Sequence, residues 1–378
     1  MKRYVVALSA LCLGIPFAQG QEKNKLDPEQ ACQGTLSDPV TYQVDLSAVV
    51  TPPYKCKILK VWMPVPPSDT VQQVTDSRFT TFPMKVVPRI NVEKTYGNRF
   101  AYFEFHSPQG AQIIRHRFTV KTHEVRWNVS PDKVLPVKEW PAAFAPFLRG
   151  EKYLPVNERF TRLARDIAGD DRSGHALHRV MNWVSREIGY SHTEASLKGS
   201  AIHALEKKVG HCSDFHGLCT ALGRSLGYPT RIVYGINPYP KNSPSHCKLE
   251  AFLPPYGWVC FDVSETKQMI DRIRKDNKLD EARKSALAEL ARLRLSAGFR
   301  DNTFFVQTRS SGYDLVPPAR DKVAVVRTIY AEADGVAFPE PDPADPQQRR
   351  FSWMTVHHYV ADRAVVNPFQ DWRSLEKR

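Results

Sequence analysis

The stretch Val209-Gly210-His211-Cys212-Ser213-Asp214-Phe215-His216-Gly217-Leu218-Cys219 constrains this chain more than any other. A glycine breaks the backbone just before a cysteine, and Leu218, Leu222 and Leu226 beyond it fall on a helical period. Cys212 is thereby placed at a helix N-terminus, where unpaired amide N–H groups and the positive end of the helix dipole favour a thiolate over a thiol. His246 and Asp262 follow, each in a strand-like run. Cysteine, histidine and aspartate from three separate elements are the parts of a thiol nucleophile, its base and the group that orients the base.

Strand periodicity adds geometry. A turn centred near Pro254-Pro255-Tyr256-Gly257 sets His246 roughly opposite Asp262 on antiparallel neighbours. His246, Lys248 and Glu250 then share a face with Trp258, Cys260 and Asp262. The carboxylate accepts a hydrogen bond from one imidazole nitrogen and leaves the other for the thiol.

The rest of the chain divides around this region. Met1-Lys2-Arg3, the apolar run Tyr4 to Phe17 and Ala18-Gln19-Gly20 read as a secretory signal over residues 1–20, too short to span a bilayer comfortably. No later window reads as a transmembrane segment, so a periplasmic or secreted protein is expected. From Val40 the residues alternate, Val40, Tyr42, Val44 and Leu46 apolar and their neighbours polar, as in a half-buried strand. With further strands at Ile58–Met63, Phe100–Phe105 and Ile114–Val125, residues 39–130 read as an all-β, immunoglobulin-like sandwich. A proline-rich, aromatic connector covers 131–156. Two amphipathic helices capped by Asn157 and Ser173 lead to a short third helix, the Cys212 helix, and strands at Thr230–Gly235, His246–Leu253 and Trp258–Val263. Residues 266–300 read as a charged helical insertion with Leu279, Ala282, Ala286, Leu287, Leu290 and Leu293 inward. Residues 301–378 supply C-terminal strands expected to pack on the core, with a mobile loop over Phe338–Arg350.

Composition bounds the partners. At 42% apolar and 25% charged, the chain has the make-up of a folded protein. A formal charge of +13, less the two positive charges of Lys2 and Arg3 in the signal, suits an anionic envelope polymer as well as a merely solvated basic surface. No nucleic-acid motif accompanies it. Beyond the signal lie Cys32, Cys56, Cys212, Cys219, Cys247 and Cys260. Cys32 with Cys56 is a plausible disulfide pair, and a free Cys212 leaves at least one other cysteine unpaired by parity.

Three blocks in order carry a family resemblance: Gly210-His211-Cys212-Ser213-Asp214-Phe215-His216; Arg224-Ser225-Leu226-Gly227-Tyr228-Pro229-Thr230-Arg231; and His246-Cys247-Lys248-Leu249-Glu250 running to Gly257-Trp258-Val259-Cys260-Phe261-Asp262. They resemble the transglutaminase-like superfamily, whose bacterial members have a glycine before the cysteine, Gly-Ile-Pro-Ala-Arg, His-Ala-Trp-x-Glu and Gly-Trp-Val-x-Phe-Asp. The resemblance implies an α+β, papain/transglutaminase-like core over 157–265, with Cys212 as nucleophile, His246 as general base and then acid, and Asp262 orienting His246. It implies attack on an amide of a protein or peptide substrate, a thioester, and transfer to water or an amine; with no calcium loop and only loose zinc-ligand spacing in the sequence, no metal and no cofactor are expected. The Cys212 N–H is expected to hold the oxyanion, with Trp183 or Tyr190 as candidate second donors. Where the family has Ala-Trp after the histidine, this chain has Cys247-Lys248, and Lys248 is expected on the catalytic face, favouring acidic substrates or depressing the imidazolium's pKa. His211 and His216 read as helix-flanking residues, His216 behind Cys212, and Asp214 as a partner of the first helical turn. Two alternatives stand beside the enzyme: a silent exported binding scaffold, and a zinc protein using His211, Cys212, His216 and Cys219.

Overall fold

The alternating run from Val40 forms β1 (Thr35–Val50), with Val40, Tyr42, Val44, Leu46, Ala48 and Val50 buried. A computed structural model describes residues 26–169, 171, 173–239, 245–339 and 353–376. The expected signal and all but the first two residues of the loop expected over 338–350 lie outside the described residues.

After β1 come β2 (Ile58–Val65), β3 (Gln72–Phe82), β4 (Arg89–Val92), β5 (Arg99–His106) and β6 (Gln112–Arg126). The second half holds α1 (Glu158–Ala168), α2 (Gly174–Glu187), β7 (Gly189–Tyr190), α3 (Ala201–Lys207), β8 (Val209–Gly210) and α4 (Cys212–Ser225). Then follow β9 (Thr230–Ile236), β10 (Ser245–Leu253), β11 (Gly257–Phe261), α5 (Val263–Lys275), α6 (Glu281–Ala297), β12 (Phe299–Arg300), β13 (Phe305–Arg309), β14 (Tyr330–Ala333), β15 (Val336–Ala337) and β16 (Trp353–Ala361).

Two sheets make the N-terminal sandwich. One runs β12-β6-β1-β16 with β3 also on β6; the other runs β15-β14-β2-β5-β4. Their inner faces meet through Leu46, Val61, Phe103 and Phe118, and Ile236 and Phe305 of the core join the same apolar cluster. The core sheet, β11-β10-β9-β13, packs against α4. Asn157 and Ser173 cap α1 and α2 as expected, accepting from the Phe160 and His175 amides at 3.2 and 3.3 Å.

The C-terminal stretch departs from expectation. Only β13 joins the core sheet; β14 pairs with β2 and β16 with β1, so residues 301–378 complete the sandwich instead of packing wholly on the core. The reason is edge exposure: without them β1 and β2 would present unpaired backbone groups to solvent. The expected helical insertion is likewise two helices packed on each other through Met269, Ile270, Ile273, Leu287, Ala288 and Ala291. Leu290 and Leu293 face solvent, because small alanines at 288 and 291 let α6 approach closely and set the buried stripe one position away. The polar, bulged strand β3 had no alternation to mark it. All six cysteines among the described residues are free, so the structure does not form the Cys32–Cys56 pair.

Candidate active site

Helix α4 is buried along its length from Cys212 to Arg224, so its polar residues Asp214, His216 and Arg224 must find partners inside the protein. Its start is fixed by a capping box. The Asp214 carboxylate accepts from the His211 amide at 3.2 Å, and the His211 ring faces the Ser213 amide at 3.5 Å. Asp214 also accepts from the Ser196 and Ser200 amides at 3.1 and 3.0 Å and from the Ser196 hydroxyl, tying the preceding loop to the helix end. Gly210 is needed for this closeness, since a Cβ there would lie 2.6 Å from the Asp214 Cβ. Gly210→Ala is therefore expected to lower stability by about 1–3 kcal/mol, read by urea unfolding. An unchanged unfolding midpoint would contradict it.

The three expected side chains come together. His246 Nε2 donates to Asp262 Oδ2 at 2.7 Å, the Cys212 sulfur lies 3.8 Å from both ring nitrogens of His211, and the sulfur's charge acts on the His246 ring. Only 3% of Cys212, 3% of His246 and 1% of Asp262 is exposed, so the site is nearly closed to solvent. The register of the hairpin differs from expectation. Leu249 pairs with Phe261 and Leu253 with Gly257, which brings Lys248, not His246, level with Asp262. Face parity is kept, so the ring still reaches the carboxylate. Strand β11 ends at Phe261 because Asp262 caps α5, its Oδ1 accepting from the Glu265 amide at 3.0 Å and the Ser264 hydroxyl at 3.2 Å. One carboxylate thus starts a helix with one oxygen and holds the imidazole with the other.

Electrostatics follow from these contacts. The Cys247 thiol, hydrogen-bonded to the Cys212 sulfur, draws the Cys212 pKa well below the usual thiol range against the opposing effect of burial, and His211 and His246 pull the same way. Burial works against the His246 imidazolium, but the Asp262 carboxylate and the Cys212 sulfur outweigh it and lift the pKa to about 9. Asp262 is held well below the carboxylate range: burial opposes this, and the Lys248 and His246 charges overcome it. Both shifts favour the charged forms, a thiolate at Cys212 and an imidazolium at His246.

Three further residues belong to the site. His216 is fully buried one helical turn from Cys212, and burial lowers its pKa to about 4. Its Nε2 accepts from the Val263 amide at 3.1 Å, which assigns the proton to Nδ1, 3.5 Å from the Cys247 sulfur. The spacing of four between Cys212 and His216 was a legible signal of a shared helix face. Lys248 is turned inward and not toward solvent. It is fully buried, with Nζ 2.6 Å from Asp262 Oδ2 and 2.8 Å from Asp301 Oδ2, because an ammonium in a central strand must find partners in the interior. Asp301, in the bend between β12 and β13, carried no motif that would have found it.

The candidate oxyanion donors separate. Tyr190 sits on β7, paired in parallel with β8 so that it lies beside Gly210; burial and the Cys212 charge both push its hydroxyl pKa up. Trp183 instead packs under the Lys208 ammonium at 5.0 Å. Among the described residues no three His, Cys, Asp or Glu side chains are grouped as a metal site.

The transglutaminase-like superfamily matches residues 161–263 of the chain. Over 172 residues, 45% of this chain and 61% of the relative, the sequence is 24% identical to an uncharacterised protein of Mycobacterium leprae (strain TN). The match thus spans less than two thirds of that relative's length. A crystal structure from Cytophaga hutchinsonii, presented as a candidate cysteine protease, superposes with a TM-score of 0.59 at 16% identity, covering 90% of this chain and 98% of that one. The periplasmic domain of TgpA from Pseudomonas aeruginosa gives a TM-score of 0.32 at 12% identity, over 62% of this chain and 91% of that domain. Residues 161–263 thus match the transglutaminase-like superfamily, within a fold shared with the Cytophaga hutchinsonii structure.

Proposed function

We propose that the chain is a cysteine enzyme of the cell envelope that cleaves or transfers amide acyl groups of proteins or peptides. The observation that carries this reading is the convergence of the Cys212 sulfur, the His246 ring and the Asp262 carboxylate at the start of α4. In this reading the Cys212 thiolate adds to the amide carbonyl carbon, and its N–H at the helix N-terminus meets the oxyanion. Tyr190 is the second donor we favour, on its position beside Gly210. The His246 imidazolium then gives its proton to the departing amine as the C–N bond breaks, leaving a thioester and a neutral ring. Water or a second amine next adds to the thioester, the ring takes its proton, and the thiolate leaves. Incubating the protein with peptide libraries, with and without an amine donor, and weighing the products by mass spectrometry tests both substrate and acceptor. Shortened peptides or a gain of the donor's mass support the reading; unchanged peptides in both arms contradict it.

The pH dependence follows from the same groups. Below the depressed Cys212 pKa the nucleophile is protonated, and above about 9 the His246 imidazolium loses the proton the leaving amine needs. Activity should therefore hold through neutral pH and fall as pH rises through about 9. A kcat/KM that keeps rising beyond that point would contradict the assignment. The near closure of the site, with 3% of Cys212 exposed, favours one other reading, an envelope binding scaffold in which the trio is silent. A Cys212 that alkylates no faster than an ordinary thiol would favour that scaffold.

A further inference from the structure

Lys248 and Asp301 take no part in the acyl-transfer steps, although both are buried charged groups, Lys248 directly against the relay and Asp301 behind it. Lys248 Nζ lies 2.6 Å from Asp262 Oδ2, the same oxygen that accepts a hydrogen bond from His246 Nε2 at 2.7 Å. Its other carboxylate partner, Asp301 at 2.8 Å, is itself fixed by the Thr303 amide at 3.0 Å and the Thr303 hydroxyl. The Phe304 and Phe369 rings lie 5.0 and 4.9 Å from the ammonium and shut it off from water. A charge buried this way acts on its neighbours over short distances with little screening. Pure structure would be met as well by an apolar side chain of the same volume, since a buried ion pair often adds nothing to stability over such a replacement.

We propose that Lys248, held in place by Asp301, is a positioning residue that shares the Asp262 oxygen with His246 and thereby sets the pH range over which sulfur and imidazole stay an ion pair. This rests on the functional reading of Cys212 and His246 given above. The sign follows from Coulomb's law. Lys248, the nearer charge, weakens the hold of Asp262 on the imidazolium; Asp301, the farther one, partly restores it. The other groups facing His246 do not carry this balance. From α4 come Cys212, its partner, and His216, neutral and with its ring 6.5 Å away. From α5 come Asp262 at its cap and Glu265, which hydrogen-bonds Asp262 through its amide. From the aromatic side Phe304 meets the ring edge-on at 5.8 Å, and the Tyr239 and Tyr190 hydroxyls are pushed upward, away from ionising.

The test is the pH dependence of iodoacetamide alkylation at Cys212 in the full chain, read peptide by peptide by mass spectrometry, after circular dichroism confirms folding. Asp301→Asn leaves Lys248 with Asp262 as its remaining counter-charge and should move both inflections down by about one pH unit. Replacing Lys248→Met together with Asp301→Asn removes both charges, keeps the total unchanged, and should move the inflections back up, to or above those of the unaltered protein. Inflections that stay put in both variants, with Cys212 still fast, overturn the proposal and leave the functional reading standing. Melting temperatures that fall while the inflections do not move overturn it in the same way. A Cys212 that is slow in the unaltered protein overturns the functional reading and the proposal together.

Discussion

Cys212→Ser is expected to lower peptide turnover by roughly 10⁴- to 10⁶-fold while the protein stays folded. Serine matches the cysteine closely in shape, so the cap of α4, the Asp214 contacts and the packing around Cys247 should persist. What is lost is ionisation. The contacts that draw the thiol pKa down act on a group whose ordinary value, 9.0, is within their reach of neutrality, and a hydroxyl starts far above it. Single-turnover hydrolysis of a responsive peptide, alongside a circular dichroism melt, measures both halves. Retained turnover in the serine variant would remove Cys212 from the chemistry.

The second large effect is expected at Asp262, where two substitutions should separate roles that one residue combines. Asp262→Ala removes the α5 cap, worth about 1 kcal/mol, and leaves the buried Lys248 with half its counter-charge, a loss of about 3–5 kcal/mol. That variant should be strongly destabilised and inactive. Asp262→Asn forces a choice. If its carbonyl keeps the Glu265 amide, its NH₂ faces two donors, the His246 Nε2–H and the Lys248 ammonium. If it turns over, the cap is lost instead. With the cap kept, His246 is pushed toward the wrong tautomer, and kcat should drop by about 10⁴-fold with a smaller loss of stability than in the alanine variant. Urea unfolding and kcat measured on both variants decide between these roles; equal stability losses with kcat preserved in the asparagine form would refute the dual role.

The place of Cys212 at a helix start was legible because local signals coincide there: Gly210 before it, a helical period after it. Strand parity was enough to bring His246 and Asp262 to one face, since a period of two survives small errors in register. Register itself was not legible, because the end of β11 is decided by the helix that follows. Asp262 and Glu265 do form the Asp-x-x-Glu pattern of a helix start, and that pattern overrides the strand-like look of Val263. Lys248 was visible but misplaced: its neighbours Cys247 and Leu249 mark a strand covered on both faces, where a charge must be paired internally. Asp301 and the strand partners of β14 and β16 depend on contacts far apart in the chain. Local pattern says that such strands exist and not which edge they cover.

The most direct measurement is a competition among the six cysteines of the described residues for a limiting amount of iodoacetamide at pH 6, resolved by mass spectrometry. Cys32 is the most exposed of them, but burial of its sulfur raises its pKa to about 11. Cys212 is almost wholly buried and poised as a thiolate beside His246. Labelling of Cys212 ahead of Cys32, slowed by at least tenfold in His246→Ala, is the expected result; the tenfold is an order-of-magnitude figure for loss of an activating imidazolium. Labelling that follows exposure, with Cys32 first and Cys212 indifferent to the loss of His246, would contradict the claim that this sulfur is an activated nucleophile.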